Sequence, residues 1–161
     1  MHLLTPRNSF AVLTCACLVT MVMATPTSAQ EATRISGVGY LDVDDLCDSG
    51  SVGATFAMIM TGDLEGCLYV FVESSSYTSS GTYFEIGTEL FVSDEGSFAT
   101  EYKFEAKYDD PALLIGEQFG RCQHKIVEGS GTGVYDGVGG RIDFKDDVEV
   151  GDFPYRGSLQ F

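Results

Sequence analysis

Basic side chains are scarce in this chain: 9 Lys and Arg stand against 24 Asp and Glu. Phosphate backbones are bound through Lys and Arg, so nucleic acid is excluded as a partner and an anionic membrane surface is disfavoured. Histidine is nearly absent, with only His2 and His124. No Cys-x-x-Cys occurs, and Cys47, Cys67 and Cys122 are far apart in sequence. Such spacing does not supply a tetrahedral zinc set, and no metal is expected. The acidic stretch DVDDLCDSG, residues 42–50, places Leu46 where a calcium loop needs its third oxygen ligand, and it reads as a solvated loop. Long apolar runs are missing too. The best, residues 10–23, has 14 residues, short of the roughly 20 that span a bilayer. With Arg7 before it and the small residues Thr27-Ser28-Ala29 after it, this run has the pattern of an export signal over residues 1–29. The expectation is a secreted, extracytoplasmic domain of residues 30–161 with no stable membrane anchor. Loss of Arg7 would leave 24 acidic against 8 basic residues, a net charge of −16. Charge of this size serves solubility.

What is present is a succession of strand-like runs separated by turn residues, with no amphipathic helical period. The runs are 35–41, 53–61, 66–73, 82–92, 97–108, 113–127 (kinked at Gly116 or Gly120), 140–146 and 155–161. Ser93-Asp94-Glu95-Gly96 joins the fourth and fifth as a hairpin. In the fifth, Phe98, Thr100, Tyr102, Phe104, Ala106 and Tyr108 share one face and Glu101, Lys103, Glu105 and Lys107 the other. The fourth splits between Phe84, Ile86, Leu90 and Val92 on one side and Glu85 and Glu89 on the other, which puts those two carboxylates in solvent. Eight short antiparallel strands in one all-β domain predict a small closed antiparallel eight-stranded β-barrel, whose closure removes exposed edges.

Between the last strand runs lies GSGTGVYDGVGG, residues 129–140, with six glycines and one large side chain, Tyr135. It lacks the Lys-Ser/Thr of a phosphate loop, and Gly137, Gly139 and Gly140 would break the helix that a dinucleotide fingerprint opens. A sharp reversal with Tyr135 pinned into a core is the reading it supports. The segment 120–161, with GRCQHKIVEGSGTGVYDGVGGRIDFKDD and then FPYRG, resembles the C-terminal part of the allene oxide cyclase barrel-like and dirigent-like superfamily. There a motif close to Gly-Thr-Gly-x-aromatic sits in a small eight-stranded antiparallel barrel. The resemblance covers about the last third of the exported chain. It implies a barrel that holds a small hydrophobic molecule and steers its reaction by shape, without a cofactor, and it admits trimers.

The candidate ligand-binding residues are Phe84, Ile86, Tyr102, Phe104, His124 and Phe144, with Leu90, Phe98 and Ile142 as further interior positions. The alternative for this stripe is a filled core. His124 shares a strand face with Cys122 and Ile126; with no nucleophile beside it in sequence, it is a hydrogen-bonded structural residue or an acid or base, and no catalytic residue is assigned. Arg121 and Arg156 read as surface residues. Two of the three later cysteines should pair in an oxidising compartment, and Cys67 with Cys122 is favoured because each lies in or beside a strand. In the third strand Leu68, Val70 and Val72 alternate with Tyr69 and Phe71, so both faces are apolar and the outer one needs a cover. An oligomer is the simplest cover, and it frames the rival function: a non-enzymatic secreted protein acting through its outer face.

Overall fold

The computed structural model describes residues 31–161; the export signal and the cleavage after Ala29 expected from the sequence lie outside the described residues. The chain is nearly all β. Its strands are β1 (Ala32–Leu41), β2 (Phe56–Gly62), β3 (Gly66–Tyr77), β4 (Thr82–Ser93), β5 (Gly96–Asp110), β6 (Ile115–Ile126), the two-residue β7 (Thr132–Gly133), β8 (Gly139–Lys145) and β9 (Phe153–Gln160), with one helical turn, α1 (Ser49–Val52). Every strand pairs antiparallel with its neighbours in the order β4-β3-β2-β1-β9-β8-β6-β5, and β4 pairs with β5 to close the ring. The result is a closed eight-stranded antiparallel barrel in meander order, with β7 pinned against the start of β5.

Antiparallel order places the connections alternately at two ends, and the two ends differ. At the lower end, residues 127–138 fold back under the barrel. Gly133 has φ 61° and Gly137 φ 78°, a region favouring glycine, and the amide of Tyr135 donates to Thr132 O at 3.0 Å. Tyr135 is 7% exposed and meets Phe91 and Phe98 edge-on, with ring centroids 5.8 and 5.2 Å away. Beside it, the Tyr155 hydroxyl accepts from the Leu64 amide at 2.8 Å and donates to Thr61 O at 2.9 Å, which ties the β2–β3 turn to the inside. Phe91, Phe98, Leu64, Ile126, Val138 and Leu159 complete an apolar plug. The reversal expected of the glycine-rich stretch is therefore present, with Tyr135 buried as its anchor.

Two expectations from sequence are overturned. The inward face of β4 is Tyr83, Glu85, Gly87, Glu89 and Phe91, while Phe84 and Ile86 are 40% and 45% exposed on the outside. The register explains it: Phe91 lies opposite Phe98, Glu89 opposite Thr100 and Glu85 opposite Phe104, and residues directly opposite share a sheet face. The disulfide joins Cys47 to Cys67, with Cys122 free. Leu68 and Val70 point inward from β3, so Cys67 points out, where the 42–55 loop delivers Cys47. Cys122 points inward from β6, a strand that does not pair with β3, so the two cysteines lie on opposite faces of the sheet and are not placed to bridge. The acidic loop is held as well as solvated: Asp42 accepts from the amides of Leu46 and Cys47 at 2.9 and 2.7 Å. Such a disulfide is compatible with an extracytoplasmic protein, and among the described residues no helix is long and apolar enough to cross a membrane.

Candidate functional site

The upper half of the barrel is not filled. A cavity of about 300 Å³ runs from a mouth at Leu41, Leu114 and Phe153 down to a floor made by Glu89, His124 and Phe144. That size lies at the lower end of small-molecule pockets. Most of the wall is apolar, from Phe56, Met58, Val70, Phe104 and Phe144. Strand alternation puts these side chains inside, and Gly87 contributes by what it lacks: a methyl there would overlap the Tyr102 ring, so its absence lets the phenol lie across the cavity wall.

Of the residues foreseen as ligand-binding, Tyr102, Phe104, His124 and Phe144 line the cavity together. Phe84 and Ile86 do not; they flank an outer groove with Lys103 and Arg121. Leu90 is half-buried on the outer face, and Phe98 and Ile142 belong to the plugged half. What the alternation of apolar residues missed is a set of carboxylates. Glu85, Glu89, Glu117 and Asp146 all line the cavity, and among the described residues no Lys or Arg does.

These acids fall into three groups. On the floor, Glu89, 3% exposed, accepts from the Thr100 hydroxyl at 2.5 Å and lies against His124 Nδ1 through the same oxygen. His124 packs on Phe144 with centroids 4.5 Å apart, and its Nε2 has no hydrogen-bond partner among the described residues. On the wall, Glu85 accepts from two phenols, Tyr83 at 2.7 Å and Tyr102 at 2.8 Å. Burial first, then the bond to Glu85, pushes the Tyr102 phenol well above its usual range, so it stays a neutral donor.

Near the mouth, Glu117 and Asp146 form a pair over Gly120. The pairing of β5 with β6 slips by one residue between Lys107 and Tyr108, which leaves Gln118 unpaired and turns Glu117 inward opposite Tyr108. The irregularity expected at Gly116 or Gly120 is found between them, as a bulge at Gln118, with Gly116 nearby at φ 69°. Asp146 continues the inward face of Ile142 and Phe144 past the end of β8, and its amide donates to Gly120 O at 3.1 Å. A methyl on Gly120 would overlap both carboxyls, so glycine makes the cradle they share. Burial first, and the neighbouring Glu117 second, raise the Asp146 carboxyl to about 8. Tyr108 donates to Glu117 at 3.3 Å, and burial followed by Glu117 holds its phenol well up.

Cys122 faces this interior, and burial, then Glu89, Asp146 and Glu85, push its thiol far up, which keeps it out of the thiolate form a nucleophile requires. Among the described residues no cluster of three or more His, Cys, Asp and Glu is arranged to hold a metal ion. The lining residues offer shape, buried hydrogen-bond acceptors and proton exchange. No family model matches the chain, and no curated protein is significantly similar to it.

Proposed function

We propose that this is a secreted barrel that binds one small, mainly apolar molecule in its upper half. The observation that carries the reading is the division of the interior: the lower half is packed with apolar side chains, whereas the upper half leaves about 300 Å³ open behind apolar walls. A chain selected only for stability would gain by filling that space, since each buried methylene contributes about 0.8 kcal/mol. Polar groups that face the cavity among these apolar walls supply orientation, as such sites do. The enzymatic form of the same reading is a cofactor-free isomerase or cyclase that holds one reactive conformer away from water, with proton exchange through the buried acids. Kinship with the allene oxide cyclase-like and dirigent-like barrels belongs to this proposal, supported by the glycine-rich motif and the eight-strand meander.

A second reading, association through the outer face, is favoured by Phe84 and Ile86 standing exposed beside half-buried Leu90 and Val92. Fluorescence titration with the neutral probe N-phenyl-1-naphthylamine separates the two. The cavity reading predicts saturable 1:1 binding to the wild type and its loss in Cys122→Phe, a variant that fills the space beside Phe104 and Phe144. Unchanged binding by a folded Cys122→Phe, or binding lost on changing Ile86→Ser instead, would transfer the function to the outer face.

A further inference from the structure

We propose that the ligand carries a protonated amine, and that its ammonium sits near the mouth between Glu117 and Asp146 with Tyr108 beside them. This rests on the cavity being a binding site and adds the chemical class it accepts. Four carboxyl groups line the space and, among the described residues, no Lys or Arg does; the imidazole of His124 is held on the floor against Glu89. An acid ligand would enter a field of its own sign with no Lys or Arg to neutralise it, which is the stronger form of discrimination.

The four acids are not equivalent. Glu85 is taken up by Tyr83 and Tyr102, and Glu89 by Thr100 and His124. Glu117 Oε1 and Asp146 Oδ2 are buried, and among the described residues no N–H or hydroxyl donates to either oxygen; they meet each other, through a shared proton. Asp146 is 9% exposed and lines the cavity, so this oxygen belongs to a built site and not to a solvated surface. Buried acceptors in native proteins are paired in the great majority, and one shared proton leaves much of the acceptor capacity of two carboxyls unmet, which donors supplied by a ligand would fill. An ammonium brings three donors and a charge, and it is tolerated in an apolar space only when paired in this way. The surrounding rings suit it as well: Tyr83 packs edge-on against Phe104 and Tyr108, with centroids 6.2 and 6.0 Å away, and aromatic faces attract cations.

Two carboxyls this close retain a proton between them when no cation is near. The titratable groups around Asp146 are Glu117 and Cys122 on β6 and Tyr108 on β5, none of them basic. Entry of the ammonium therefore displaces that proton to solvent, and the ammonium keeps its own. Amine affinity should rise between pH 6 and pH 8.5, and the affinity of a neutral analogue should not.

The test compares three ligands of nearly one shape, 2-naphthylmethylamine, 2-naphthylmethanol and 2-naphthoate, titrated calorimetrically into the protein. The amine is expected to bind at least about tenfold more tightly than the alcohol at pH 8, with the naphthoate weakest. Asp146→Asn should erase the amine's advantage, and Glu117→Gln serves the same purpose if that variant does not fold. The pH series on the wild type needs no variant at all. Equal affinity of amine and alcohol, or tightest binding by the naphthoate, overturns the amine assignment and leaves the cavity as a site. Failure of all three to bind overturns the cavity reading itself.

Discussion

Replacing Tyr135 with Ala removes the anchor of the lower plug. The ring is buried, and it meets Phe91 and Phe98 edge-on in a space that no other large side chain of the 129–140 stretch reaches. Deleting a buried aromatic costs about 3–5 kcal/mol, a range that includes roughly 0.5–1.5 kcal/mol for each lost ring pair. The higher part applies where the gap cannot collapse, and here Gly131 sets a limit on collapse: a methyl on it would already overlap Tyr135 O, so the loop is packed backbone on backbone. For a domain of this size each kcal/mol lowers the melting temperature by about 3–5 °C, so a fall of roughly 10–20 °C is expected. Differential scanning calorimetry measures it. No residue of 129–140 lines the upper cavity, so naphthylmethanol affinity measured well below the melt should be unchanged. An unaltered midpoint would refute the assignment of this stretch as a structural reversal, and lost affinity with a normal midpoint would make it part of a binding site.

Three further outcomes follow from the geometry. Reduction of Cys47–Cys67, or Cys67→Ser, should destabilise by about 3 kcal/mol, because the bridge closes a separation of 20 residues; chemical denaturation with and without reductant checks this, and a thiol reagent should leave Cys122 unlabelled in the native protein. Asp146 holds its proton in the folded state up to about pH 8 but only to its ordinary value near 3.8 when unfolded, so its contribution to stability is lost as pH rises through that window. The melting temperature of Asp146→Asn relative to wild type should therefore increase from pH 5 to pH 8.5, and parallel curves would contradict the raised carboxyl. Gly120→Ala should cost about 1–3 kcal/mol by crowding Glu117 and Asp146, whereas Gly139→Ala, which meets nothing, should stay within about 0.5 kcal/mol.

The barrel was legible because strand period and turn chemistry agree along nearly the whole chain: the eight expected runs match β1 to β6, β8 and β9 within a few residues at most ends. The face of β4 was misjudged although the information to place it is in the sequence. Phe84 and Ile86 outvote Glu85 and Glu89 on hydrophobicity, but a two-residue hairpin loop at Asp94-Glu95 fixes the register, and Phe98 inside forces Phe91, Glu89 and Glu85 inside with it. Asp146 was likewise available as the next inward position after Ile142 and Phe144. Glu117 was not, since its direction depends on a bulge at Gln118 that alternation alone puts on the wrong face. The disulfide failed for the same reason in reverse: membership of a strand says nothing about the face, and Cys67 and Cys122 lie on opposite sides of the wall. Buried carboxylates are where pattern reasoning breaks down, because their stability comes from partners such as Thr100, His124, Tyr83 and Tyr102 on other strands.

The central claim is that the upper cavity, and not the outer sheet face, receives the ligand. Methyl-detected NMR during titration with 2-naphthylmethanol tests it most directly. The account predicts shift changes at Met58, Val70, Leu41 and Leu114, which line the cavity, with Ile86 and Val92 on the outer face unmoved. Changes confined to Ile86, Leu90 and Val92, with Met58 and Val70 silent, would contradict it.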